Sequence, residues 1–199
     1  MPKAESTVQY EQDGPIVTIT LRRSEAGNAI NEDMASDFRA ACRRLLDDPN
    51  SCRVVILAAE GNDFCLGTDE TFFQEALRLE SLTQVKRLIG RFSVAHALAA
   101  VPVPVLASLK GEVRGQGLEL ALAADLRVAT PGTFFRMDQL ARGTLPWDGG
   151  SQRLPRLVGR GLANWMLVTG EGLSVSEAEH LGFVNRIVPA EQLMDQAEG

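Results

Sequence analysis

The stretch GQGLELALAADL, Gly115 to Leu126, sets one carboxylate, Glu119, inside an apolar run suited to burial. Burial among Leu118, Leu120 and Leu122 raises the pKa of such a group, whereas the start of the helix that begins here favours its anion. These opposed effects can bring a carboxyl group into the range where it takes up and returns protons near neutral pH. A carboxylate turned to solvent, or paired with Arg114 or Arg127, is the plain structural alternative. Two glycine-bearing bends accompany it: DFCLGTD after the apolar run VVILAA, and VRGQG after VPVLASL. Gly67, Gly115 and Gly117 permit positive φ angles and close approach of a ligand, so main-chain N–H groups in these bends can point into a cleft. Two such donors aimed at one oxygen stabilise a developing negative charge. Taken singly, each bend is an ordinary tight turn.

Other chemistries have less support. His96 and His180 are the two histidines of the chain, and neither accompanies a nucleophile motif such as GxSxG. His96 is expected to be structural. Cys42, Cys52 and Cys65 are odd in number, without CxxC spacing or nearby histidines, which argues against a metal site or a disulfide framework and for reduced thiols.

The elements that must position Glu119 and the bends follow from residue periodicity. TVQYE and IVTITL, residues 7–11 and 16–21, are rich in β-branched residues and flank QDGP, predicting a hairpin. Met34, Phe38, Ala41, Cys42 and Leu45 recur at the helical period, so a helix is expected over 31–46 with Asn31 as N-cap. VVILAA (54–59) and VPVLASL predict strands covered on both faces. One long helix is expected over 81–100, ended by Pro102 and Pro104. LRVAT and TFFRM predict strands around Pro131-Gly132, helices are expected near 150–158, 161–168 and 176–181, and FVNRIV is the last strand. Trp165, Met166 and Leu167 are expected in the core. Strands alternating with helices predict an α/β domain whose strand-to-helix turns hold the chemistry.

With 199 residues and 45% hydrophobic content, the chain fits one domain with a sizeable core. Twenty basic against 26 acidic residues leave no basic stripe for a nucleic acid. No apolar run reaches the roughly 18 residues that span a bilayer, and the N-terminus lacks an apolar leader, so a cytoplasmic protein is expected.

In order along the chain, LRRSEAGNAINEDM, VVILAAEGNDFCLGTD, PVPVLASLKGEVRGQGLELALAADLRVA, GTLPWDGGSQRLPRLVGR and VTGEGLSVSEAEHLGFVNRIVP resemble the crotonase superfamily, the enoyl-CoA hydratase and isomerase group, from about Tyr10 to Pro189. The resemblance implies a crotonase-like ββα spiral with a short or missing C-terminal helical segment, in a single domain over 1–199 whose spiral core ends near 190. It implies an acyl-CoA thioester as substrate, no cofactor beyond the CoA that is part of it, and a homo-oligomer, trimer or hexamer. The oxyanion hole is expected from the N–H groups of Leu66 and Gln116, the latter standing where the family usually has glycine. Glu119 matches the first of two family carboxylates that handle water and protons. The second falls on Gln139, whose amide is neither acid nor base near neutral pH. Asp138 and Asp148 are the nearby carboxylates, and Asp148 is the expected substitute, its alternative being an N-cap for the helix begun by GGSQRLPRLVG. Gly67, Asp69, Gly115, Gln139, Trp147 and Arg22 are expected around the substrate, with Trp147 narrowing the acyl pocket and Arg22 and Arg23 near CoA phosphates or simply solvated. The missing second carboxylate shifts the expected reaction toward isomerisation, or toward unusual hydration, hydrolysis or decarboxylation. A subunit that binds acyl-CoA without turning it over is the competing expectation.

Overall fold

In the computed structural model, which describes residues 6–198, the two N-terminal runs form the expected hairpin: β1 (Val8–Asp13) pairs antiparallel with β2 (Ile16–Leu21). From β2 the sheet continues in parallel through β3 (Val54–Ala59), β4 (Val105–Leu109), β6 (Leu126–Ala129) and the two-residue β9 (Arg186–Ile187), in the order β1-β2-β3-β4-β6-β9. Strands β3 and β4 are almost wholly buried, which explains why their sequences are continuous apolar runs rather than alternations. A smaller sheet has the order β5 (Glu112–Arg114), β7 (Phe134–Arg136) and β8 (Gly172–Ser174), and its β5 bridges at Val113 to Cys65, in the segment that follows β3.

Helix α1 (Glu32–Asp47) begins where expected: the Asn31 side chain accepts the Met34 N–H at 2.9 Å. Its buried face of Met34, Ala35, Phe38, Ala41, Cys42 and Leu45 packs into the main core. Helix α2 (Glu70–Ala76) follows the first glycine bend, and α5 (Gln116–Ala121) grows out of the second. Helices α6 (Gly150–Val158), α7 (Arg160–Thr169) and α8 (Val175–His180) match the three expected segments, and α9 (Leu193–Glu198) is the last element among the described residues.

The long helix expected over 81–100 is two: α3 (Leu82–Phe92) and α4 (Ala95–Ala99). The break at Ser93 and Val94 has a physical cause in the site described below, where a buried carboxylate takes the Val94 and Ala95 N–H groups. The expected strand FVNRIV shrinks to β9. Trp165 is more than half exposed rather than core, its indole N–H donating to Glu171 at 2.9 Å, whereas Met166 is buried as expected.

Candidate functional site

The two glycine bends meet. Gly115, with φ of +54°, precedes the first residue of α5, and Gly67, with φ of +98°, lies against it. A Cβ added to Gly67 would stand 3.0 Å from the Arg114 carbonyl oxygen and 3.4 Å from the Gln116 nitrogen. One added to Gly115 would stand 3.7 Å from the Gly67 Cα. Both the positive φ and this approach require glycine, so Gly67 and Gly115 serve the site as backbone.

The expected donor Leu66 is not available. Its N–H donates to the Gly27 carbonyl at 2.9 Å, part of the pairing that seats this segment beside residues 27–30. The adjacent bonds run from Ile30 N–H to the Gly67 carbonyl at 2.7 Å and from Asp69 N–H to the Ile30 carbonyl at 3.0 Å. Between them, the Thr68 N–H has no hydrogen-bond partner among the described residues, and neither does that of Gln116. Unpaired amides thus occur in both bends, at Thr68 in the first and at Gln116 and the following Gly117 in the second, and Thr68 and Gln116 are the two that directly follow the touching glycines Gly67 and Gly115. Gly67, whose positive φ redirects the chain, stands between the paired Leu66 amide and the unpaired Thr68 amide, and no local signal in the sequence separates the two.

Glu119 is fully buried and paired with neither Arg114 nor Arg127. Arg114 Nε donates to Asp138 at 2.6 Å, so Asp138 is engaged as well, and Arg127 donates to the Ala124 and Phe183 carbonyls. The Glu119 carboxylate instead caps α6 from outside: Oε1 accepts the N–H groups of Asp148 and Gly150, both at 2.8 Å. Oε2 accepts from Gln139 Nε2 at 3.1 Å. Loss of water pushes the Glu119 pKa up most strongly. The Gly150 N–H pulls it down, the Asp148 charge pushes it up, and the Asp148 N–H and Gln139 pull it down, leaving it raised to about 7. Gly150 is a requirement that sequence reasoning missed, since a Cβ there would lie 2.8 Å from Glu119 Cγ.

Asp148 has a different task from either one expected of it. It caps neither α6 nor a reacting group but α4. Oδ2 accepts from Val94 N–H at 2.8 Å, Ala95 N–H at 2.9 Å and Gln116 Nε2 at 3.2 Å. Oδ1 accepts from the Ser93 hydroxyl at 2.6 Å and contacts His96 Nδ1 at 2.7 Å. Burial works to raise its pKa, but the bonds from Ser93, Val94, Ala95 and His96 outweigh it, and the carboxyl is held below its ordinary value. An anion so saturated with donors is a poor proton carrier, which corrects the expectation of Asp148 as acid or base. His96 has a structural role, its ring largely exposed beyond this contact.

Gln139 lies against Glu119 and keeps one loose end: its buried Oε1 has no partner among the described residues. The Gln116 side chain turns away from its own N–H into the interior. There Oε1 accepts the Thr68 hydroxyl at 2.9 Å and Nε2 donates to the Phe92 carbonyl at 2.6 Å. Trp147 stacks on Phe72, with ring centroids 5.3 Å apart, and joins Leu88 and Phe92 in an apolar cluster of α2 and α3.

Two residues expected around the substrate engage protein groups. Asp69 caps α2 through the Thr71 N–H at 3.0 Å and pairs with Arg23 at 3.0 Å. Burial raises its pKa, and the Thr71 and Arg23 bonds more than reverse that. Arg22 pairs with Glu60 at 2.8 Å near the surface.

A glycine-lined pair of bends, unpaired amides in both and a buried glutamate near neutrality coincide with what similarity finds. The model of the enoyl-CoA hydratase/isomerase family matches residues 11–198. The chain belongs to this family. It is 36% identical over 184 residues, 90% of this chain and 68% of the other, to the Bacillus subtilis protein YngF, whose name places it with the enoyl-CoA hydratases/isomerases. It is 30% identical over 197 residues to the crotonyl-CoA hydratase of Syntrophomonas wolfei, covering 98% of this chain and 74% of that one. Among solved structures, the enoyl-CoA hydratase of Mycobacterium smegmatis superposes with a TM-score of 0.86 at 35% identity, over 98% of this chain and 74% of that one. The crotonase-type α/β fold expected for this enoyl-CoA hydratase/isomerase family member is therefore the fold it has.

Proposed function

We propose that this crotonase-family acyl-CoA enzyme moves the double bond of an enoyl-CoA thioester, with Glu119 as the single proton carrier. The observation behind it is the asymmetry of the site: one buried carboxyl raised to about 7, an amide at Gln139, and a carboxylate at Asp148 already committed to capping. The thioester oxygen accepts hydrogen bonds from the N–H groups of Thr68 and Gln116. Glu119, as carboxylate, takes a proton from the α-carbon of a 3-enoyl thioester, and the electron pair delocalises through the carbonyl onto oxygen, giving a dienolate. The same carboxyl then returns the proton to the γ-carbon, and the double bond shifts from C3–C4 to C2–C3 with no change in composition. One donor of such a hole is typically worth about 2.7–4 kcal/mol in the transition state. Hydration would need a second group to handle the water, and Gln139 can hold water but not ionise.

The cluster of Phe72, Leu88, Phe92 and Trp147 adjoins Gln116 through the Phe92 carbonyl and supplies an apolar wall for the acyl group. CoA is part of the substrate, and no further cofactor enters the scheme. The exposed Trp165, Val168 and Leu181 give α7 and the residue after α8 an apolar face suited to self-association as a trimer or hexamer, and a cytoplasmic setting suits the absence of any helix long and apolar enough to cross a membrane among the described residues.

The test is turnover of matched 3-enoyl-CoA and 2-enoyl-CoA substrates. Isomerisation that rises with pH around 7 and is lost in Glu119→Gln supports the proposal. Hydration of the 2-enoyl ester without isomerisation, or binding with no turnover of either, would overturn it.

A further inference from the structure

The unpaired amides of Thr68 and Gln116 come from bends far apart in sequence, and their spacing must be fixed by something. Main-chain pairing holds the segments together as far as the bond from Arg114 N–H to the Cys65 carbonyl, at 2.9 Å. Beyond that point, toward the amides, Gly67 and Gly115 touch without polar bonds, and glycine is the residue with the least resistance to rotation. The Ile30 bonds steady Thr68 against residues 27–30 but not against Gln116.

We infer that the side chains of Thr68 and Gln116 are positioning residues that clasp the two bends and set the separation of their N–H groups. This rests on the enolate-stabilising role proposed above. The Thr68 hydroxyl donates to Gln116 Oε1 at 2.9 Å, directly between the two residues that follow the touching glycines. Both side chains are buried, Gln116 completely, so water does not compete for the bond. The far end of the Gln116 amide is anchored twice, on the Phe92 carbonyl at 2.6 Å and on Asp148 Oδ2 at 3.2 Å. Asp148 in turn gives its own N–H to Glu119 at 2.8 Å. A continuous bonded path, Thr68 to Gln116 to Asp148 to Glu119, thus ties both donors to the proton carrier. It accounts for a long amide side chain at the mouth of α5: its amide group is directed inward, and only its N–H is left for the ligand.

The experiment uses the full chain and a saturated acyl-CoA labelled with ¹³C at the thioester carbonyl, read by isotope-edited infrared spectroscopy of the bound ester, beside steady-state kinetics with a 3-enoyl-CoA. Thr68→Val keeps shape and main-chain N–H but removes the hydroxyl. We expect a smaller carbonyl downshift than in the wild type and kcat lowered about tenfold or more, below the 10²–10³ that loss of a whole donor costs. KM should change little, and Thr68→Ser should restore both readouts. Gln116→Met, which keeps its N–H and loses all three side-chain bonds, should behave like Thr68→Val and serves if the valine variant does not fold. Wild-type downshift and kcat retained in either variant overturn the clasp while leaving the proposed function intact. No downshift in the wild type with the ester bound, or no binding of the ester, overturns the proposed function and the clasp with it.

Discussion

Glu119 couples acidity to stability, and the size of the coupling follows from its burial. An ordinary glutamate releases its proton near 4.5, whereas Glu119 holds it to about 7. Between those values the folded chain binds a proton that the unfolded chain has lost. Stability from this group is therefore fully present below 4.5, falls as pH rises toward about 7 and is level above that. At about 1.36 kcal/mol per pH unit, the fall is roughly 3 kcal/mol. Glu119→Gln abolishes the titration. The new amide can still accept the Asp148 and Gly150 N–H groups through its oxygen, and its NH₂ meets Gln139, whose unpartnered Oε1 can turn to receive it. Urea unfolding of both proteins, from about pH 4.5 to about pH 8, separates Glu119 from the titrating groups distant from it, because those cancel in the difference. The stability of the variant relative to the wild type should rise by roughly 3 kcal/mol across that range. A difference that stays constant with pH would mean that Glu119 is an ordinary carboxylate, and its role as proton carrier at neutral pH would lose its physical basis.

Three further outcomes follow from the same geometry. Asp148→Asn removes a charge that raises the Glu119 pKa, so the acidic limb of the pH–rate profile should move to lower pH; weakened capping of α4 should cost about 1.5–3 kcal/mol in denaturant unfolding. Gln139→Glu puts a second carboxyl against Glu119 and should move that limb to higher pH, with hydration of 2-enoyl-CoA gained relative to isomerisation, both read in the same assays. Gly150→Ala sets a methyl group 2.8 Å from Glu119 Cγ, and should lower the melting temperature by an amount equivalent to about 1–3 kcal/mol while depressing kcat.

The sequence makes the scaffold legible because period and burial agree there. The apolar runs of β3 and β4, the α1 face and its Asn31 cap all follow from patterns that local physics enforces. The family motifs bring Glu119, Gln116, Gln139 and the two glycines to one place, and the structure does so too. What was illegible depended on long-range bonds. The break between α3 and α4 is made by Asp148, more than fifty residues later in the chain, and nothing in the period of 81–100 announces it. Leu66 and Thr68 differ in whether an amide is used up by Gly27, a matter of register with a segment some forty residues earlier. A carboxylate at position 148 in a family motif permits both a proton carrier and a local cap, and only its donors decide. Asp69 and Arg22 went to ion pairs with Arg23 and Glu60 for the same reason.

The most direct measurement is a crystal structure of the chain with a non-reactive acyl-CoA thioester. The thioester oxygen should lie within about 3 Å of both the Thr68 and the Gln116 nitrogens, with the Glu119 carboxyl facing the α- and γ-carbons. A thioester oxygen bonded elsewhere, or an acyl chain that leaves Glu119 sealed beneath Gln139, would contradict this mechanism.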